Sequence, residues 1–302
     1  MIFNFADYDQ LLPLVTNSLL AGALLAVIGG LIGVFVLTRD MSFAVHGISE
    51  LSFAGAALAL LLGANVVLGS VLGSLLAAAL IGVLGSRAKD RNSIVAVLMP
   101  AGLGVGILAI AMYRGTASNK FGLLTGQIVA VGDQKLGWLA AICGLVLAVL
   151  LIVWRPLMFA SLDSEVAASR GVPINALSVV FMLLLGLSVA ASVQVVGALL
   201  VLSLLVTPAA SSLRITKSPV LLPLLSVVFA LVAVLGGILL ALGSGLPISP
   251  YVTSISFLIY VICRLAQWLG GKFDGGSTMW QESDLAQESD LAQESKLGSV
   301  AK

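Results

Sequence analysis

Charge is what this 302-residue chain has least of. Asp, Glu, Lys and Arg make up 10% of it, against about a quarter of an ordinary water-soluble domain. So few charges cannot wet a globular surface of this size, and a soluble domain is excluded. The formal net charge of +1 offers little to a phosphate backbone and argues against nucleic acid as a partner. Histidine occurs once, at His46, and cysteine twice, at Cys143 and Cys263, both inside apolar runs. Such cysteines read as small packing residues and say nothing of redox compartment. No G-x-x-x-x-G-K-[S/T], H-E-x-x-H or G-x-S-x-G motif occurs, nor any cysteine pair at zinc spacing. The chain has no P-loop ATPase or hydrolase machinery of its own, and an enzyme reading has little to rest on. Met1 to Gln10 holds Asp7 and Asp9 but no basic residue, so it does not read as a secretory signal.

What the chain has in quantity is apolar side chains, 60% of all residues, with a mean hydropathy of +1.15. Long apolar runs broken by short polar loops mean spanning helices, because lipid satisfies no backbone group from outside. The expected fold is an all-α integral membrane protein, a polytopic bundle of about eight or nine transmembrane helices. Nine apolar segments stand out, at 14–37, 42–62, 65–85, 94–113, 136–154, 174–193, 195–212, 219–241 and 249–269. The sixth and seventh meet at Gln194 with almost no loop, which allows eight full spans plus one broken or re-entrant segment.

Basic residues fall in alternate loops: Arg39, then Arg87, Lys89 and Arg91, then Arg155 and Arg170, then Arg214 and Lys217, then Arg264 and Lys272. By the positive-inside rule this places the N-terminus outside and the C-terminus in the cytoplasm, with Arg114, Lys120 and Lys135 of the stretch 114–135 as the exception. The glycine pairs Gly29/Gly33, Gly69/Gly73 and Gly102/Gly106 sit four apart on apolar helices and predict close helix packing, without naming a substrate. Residues 1–270 read as the membrane domain. From Gly271 to Lys302 the chain is polar and repetitive, Gln-Glu-Ser-Asp-Leu-Ala recurring at 281–286 and 287–292, and is expected to be a disordered cytoplasmic tail.

Ionisable groups inside spanning helices are rare and mark functional paths by default. His46 and Glu50 interrupt the second segment four residues apart, so both side chains share one helix face. Imidazole nitrogen with carboxylate oxygen suits zinc or manganese. The pair reads equally as a self-neutralising structural contact, and spacing alone does not choose. Two ligands are too few for such an ion, whereas a two-fold homodimer would supply four. Downstream, the connector Leu162–Pro173 reads as a short helix begun by Asp163 and Ser164 and stopped by Gly171, with Glu165 in its first turn and Pro173 opening the next span. It is either a solvated connector or a docking helix for a cytoplasmic partner.

Three stretches give the chain a family likeness, from about residue 14 to 268. They are Asp163-Ser-Glu-Val-Ala-Ala-Ser-Arg-Gly-Val-Pro173; Gln194-Val-Val-Gly-Ala-Leu-Leu-Val201 with Leu204-Leu-Val-Thr-Pro-Ala-Ala210; and Phe121-Gly-Leu-Leu-Thr-Gly-Gln127. Together they resemble the ABC-transporter permeases that import manganese, zinc or ferrous iron. In that family the second helix usually carries G-D-A-x-S-H and then a leucine-proline-glycine stretch. Here the matching positions are Val45-His46-Gly47-Ile48-Ser49-Glu50 and Phe53-Ala54-Gly55, the same ligand types in reversed order. The resemblance implies a permease homodimer in the plasma membrane of a prokaryotic cell. Its implied partners are cytoplasmic P-loop ATPase subunits that dock on Asp163, Glu165 and Gly171, and an extracytoplasmic metal-binding protein. Zinc or manganese would pass His46 and Glu50 as cargo, with no resident cofactor. The competing readings are an ion-gradient-driven secondary transporter, which calls for internal repeats not evident here, and a permease for a metal chelate or vitamin.

Overall fold

The computed structural model of the chain describes residues 12–84, 88–115, 131–244 and 248–271. All regular structure among them is helical. Eight helices are long and apolar enough to cross a bilayer. They are α1 (Thr16–Thr38), α2 (Ser42–Leu61), α3 (Val66–Leu84), α4 (Ala88–Met112), α5 (Asp133–Leu162), α7 (Ile174–Val196), α10 (Leu221–Ser244) and α11 (Ile248–Gly271). A short helix, α6 (Ser164–Ser169), joins α5 to α7, and two more, α8 (Val201–Leu205) and α9 (Thr207–Ile215), follow a 3-10 turn at Ala198–Leu200. One compact unit extends to Cys263; of the second, which begins at Arg264, the described part is the end of α11.

The expectation of a broken segment after Gln194 holds, and its cause is local. Gly197, at φ +86°, ends α7 in a backbone region that side chains with a Cβ avoid. Pro208 has no N–H to offer the Leu204 carbonyl, so α8 and α9 do not fuse. Val201–Ile215 would span about 22 Å at the helical rise, short of the ~30 Å hydrocarbon core. The segment runs alongside α1 in the same direction, Gly29 against Leu204 and Gly33 against Leu205 and Ala209. A Cβ at Gly29 would come within 3.1 Å of the Leu204 oxygen, so the small-residue pair makes room for the break. The other two pairs serve the same end: Gly69 and Gly73 of α3 meet Gly55 and Leu51 of α2, while Gly102 and Gly106 of α4 meet Leu51 and Phe53.

Two helices outrun their apolar stretches. α4 begins at Ala88 rather than near 94, and α5 runs to Leu162 rather than 154, past Arg155 and Pro156. The 30 residues of α5 make about 45 Å, more than the hydrocarbon core. Hydropathy reports only the part that crosses lipid, whereas the backbone stays helical where polar side chains can reach water. Pro173 precedes α7 as its N-cap residue instead of lying in its first turn.

Hydrogen bonds sort the helix ends. Asn17 donates to Asp133 Oδ1 at 2.7 Å and to the Val131 carbonyl at 3.3 Å, and Gln194 donates to the Val66 carbonyl at 3.3 Å. Val67, Val131 and Gln194 line one small cavity, so these groups share an end. Elsewhere the start of α4 meets the α1–α2 turn, where Arg91 donates to the carbonyls of Arg39 and Asp40 at 3.3 and 3.2 Å.

Candidate functional site

α2 carries both ionisable residues singled out above. Nε2 of His46 lies 3.9 Å from Oε1 of Glu50, too far for a direct hydrogen bond. The Glu50 side chain is 5% exposed and that of His46 31%, so the carboxylate is sunk while the imidazole is partly exposed. Nδ1 of His46 and Oε2 of Glu50 are buried without hydrogen-bond partners. The Ser49 hydroxyl gives its proton to the His46 carbonyl at 2.8 Å and so donates to neither atom. A pair present only for structure would be expected to close on itself, since an unmet buried polar group costs about 1–3 kcal/mol. At 3.9 Å the nitrogen and oxygen stand wider than two ligands of one tetrahedral ion, which would lie about 3.3–3.6 Å apart with bonds of about 2.0–2.2 Å, so a small rotamer change would have to bring them together around a cation. Among the described residues no cluster of three or more His, Cys, Asp or Glu exists, so one chain offers at most this pair of candidate ligands.

Helix α2 is held from both sides. A Cβ at Gly47 would stand 2.9 Å from Val95 of α4, and one at Gly102 would stand 3.0 Å from the Glu50 carbonyl carbon. Ser52 of α2 pairs with the Ser70 hydroxyl of α3 at 2.8 Å. Helix α2 is continuous through Ala54. Backbone fixed in this way leaves the geometry of the His46–Glu50 pair to side-chain rotamers.

The second predicted site is an exposed, fully capped helix. Asp163 Oδ1 accepts from the N–H groups of Glu165 and Val166 at 3.1 and 2.9 Å. At the other end Gly171 N–H donates to Ala168 at 2.9 Å and Val172 N–H to Ala167 at 3.1 Å, a Schellman closure with Gly171 at φ +80°. Ala167 is buried, whereas Asp163, Glu165 and Arg170 are exposed. Leu162 is 68% and Val166 44% exposed, an apolar margin on a polar connector.

The arginines at the turn were legible only as loop charges. Arg91 closes the carboxyl end of α1, and Arg39 lies over the Phe181 ring, 5.4 Å from its centroid. Nothing in one sequence pairs residue 39 with residue 181. Phe121–Gln127, Lys120 and the acidic repeats of the tail lie outside the described residues.

A chain with this many apolar helices of spanning length, and with two unpartnered polar atoms inside one of them, has the make-up of a membrane transport component. Residues 12–267 match the ABC 3 transport family, and the chain belongs to it. It is similar to the manganese transport system membrane protein MntC of Halalkalibacterium halodurans, with 31% identity over 76% of this chain and 80% of that protein. It is also similar to the high-affinity zinc uptake system membrane protein ZnuB of Haemophilus influenzae, with 25% identity over 81% of this chain and 94% of that one. Among solved structures, PsaBC from Streptococcus pneumoniae in complex with Fab superposes with a TM-score of 0.73 at 25% identity, covering 82% of this chain and 89% of that one. The chain is a transport subunit and not an enzyme.

Proposed function

We propose that the chain is the permease subunit of an ATP-binding-cassette importer for divalent transition metal ions, zinc or manganese. The observation that carries this reading is the half-open His46–Glu50 pair, with one unpartnered nitrogen and one unpartnered oxygen in a helix of an ABC 3 family chain. The imidazole tilts the preference towards zinc. Relatives named for manganese and for zinc both support a cargo of this kind.

The permease works as a homodimer, and His46 and Glu50 of two copies surround one transient site. The coordination is incomplete at rest, because transport needs binding strong enough to strip hydration and weak enough to release. An extracytoplasmic binding protein delivers the ion, and two cytoplasmic P-loop ATPases dock on the Asp163–Gly171 helix. Asp163 and Glu165 present charge there, and Leu162 and Val166 present apolar surface. The complex lies in the plasma membrane of a prokaryotic cell. The end that holds Asn17 and Gln194 faces outside, and the α1–α2 turn, α6 and the tail from Gly271 face the cytoplasm. Radioactive zinc and manganese uptake in cells making the permease with and without its ATPase tests the reading. Uptake that needs the ATPase supports it; uptake by the permease alone, collapsed by dissipating the ion gradient, would favour a secondary transporter.

A further inference from the structure

Between the docking helix and the metal pair lies a contact with no part in either. Phe181 of α7 is fully buried and carries the Arg39 guanidinium over its ring face. Phe35 of α1, also fully buried, stands edge-on to Phe181 at 6.0 Å and to Trp154 of α5 at 4.9 Å. We propose that Arg39 is a positioning residue whose guanidinium, seated on Phe181, couples movement of α7 to the helix that holds His46 and Glu50. The proposal rests on the docking reading of Asp163–Gly171.

The chain is continuous on both sides of this contact. On one side, α6, which packs mainly on α5, leads through the non-helical turn Arg170–Pro173 into α7; α7 is unbroken from Ile174 to Val196, and Phe181 comes about two turns along it. The rival route through α5 crosses Pro156, which deprives the Ile152 carbonyl of its helical donor and interposes a weak point before Trp154. On the other side, the α1–α2 turn is locked. Asp40 N–H donates to Leu37 at 3.1 Å and Met41 N–H to Val36 at 2.8 Å, with Asp40 at φ +50°. Arg91 ties down the carbonyls of Arg39 and Asp40. α2 starts immediately afterwards at Ser42, so His46 follows by about one turn and Glu50 by about two. Displacement of the turn therefore reaches the ligand pair with little slack.

α7 also packs directly on α1 and α2, and the ring contact adds to that packing a joint that can slide. Burial first, then the charge of Arg91, lower the pKa of Arg39 from its ordinary value, but arginine stays protonated in proteins. Among the described residues neither arginine has an ion-pair partner, so Arg39 is not pinned by a carboxylate. A cation on an aromatic face holds well while allowing sliding, as a joint with two positions requires.

The test is the amount of metal imported per ATP hydrolysed, measured in proteoliposomes holding the permease with its ATPase and binding protein. Arg39→Gln should lower that ratio about 5- to 10-fold while ATP hydrolysis continues, and Arg39→Lys should keep most of it, because an ammonium still binds the ring. Phe181→Leu should uncouple to a similar degree, and the double variant should be no worse than either single one. A purely structural role would reduce the yield of complex and leave the ratio unchanged. A wild-type ratio in assembled Arg39→Gln or Phe181→Leu would overturn the proposal, and if Arg39→Gln does not assemble, Phe181→Leu decides. Charge reversal at Asp163 and Glu165, run in parallel, separates the two readings. If those changes leave ATPase binding and the ratio intact, the docking reading fails; if they uncouple while Arg39→Gln does not, only the role of Arg39 falls.

Discussion

A helix of six residues does not hold itself together, since isolated helices shorter than about 12–15 residues are marginal in water. The order of α6 should therefore depend on its caps. Asp163→Ala removes the acceptor for two N–H groups and should cost about 1 kcal/mol, the usual worth of an N-cap. Gly171→Ala should cost roughly another 1 kcal/mol, and the origin is purely conformational. A Cβ there meets nothing within 4 Å, so the penalty is that of a left-handed backbone alone. Each change amounts to about a fivefold shift towards the disordered connector, and both together to about thirtyfold. Hydrogen exchange at the amides of Glu165, Val166 and Val172 reads this directly. Asp163→Asn is the control, because asparagine caps as well as aspartate but carries no charge. It should keep near-native exchange while weakening co-purification with the ATPase. Unchanged exchange in Asp163→Ala would refute the argument that caps order this surface.

Other expectations follow from packing and topology. Gly33→Ala sets a methyl against the Leu205 carbonyl and should sharply reduce folded protein on size exclusion, whereas Gly104→Ala, with open space around it, should not. A cysteine placed at Ser299 should react with a membrane-impermeant maleimide only after cells are permeabilised; Cys143 and Cys263 are buried and add little background. Labelling in intact cells would invert the topology. Metal uptake should disappear when the partner ATPase is omitted or its P-loop lysine is replaced.

The spans were legible because lipid enforces a simple code. Apolar runs of about 20 residues become helices, and polar interruptions become ends. The break in the seventh segment was legible as a missing loop at Gln194, but its position depends on the backbone at Gly197 and the missing donor at Pro208. The true lengths of α4 and α5 were not legible, since Arg91 and Arg155 lower hydropathy without stopping a helix. For the site, rarity did the work: a single histidine four residues from a glutamate stands out in so apolar a chain. That the pair stays open, with two atoms unpartnered, is a matter of side-chain geometry that spacing does not determine. The caps of α6 were readable because they are local in sequence. The seat of Arg39 on Phe181 was not, because it joins helices far apart in the chain.

Transport by this chain is proposed to depend on His46 and Glu50 as direct ligands of the moving ion. The measurement is uptake of radioactive zinc and manganese by His46→Ala and Glu50→Ala, each normalised to assembled complex. Each alanine removes one ligand type from both copies of the dimer, so uptake should fall to background while assembly is kept. The double exchange His46→Asp with Glu50→His restores the order usual among related permeases and should recover transport, with an altered zinc-to-manganese ratio. Near-normal uptake in both single alanine variants would contradict the ligand role, leaving the pair structural and the ion path elsewhere.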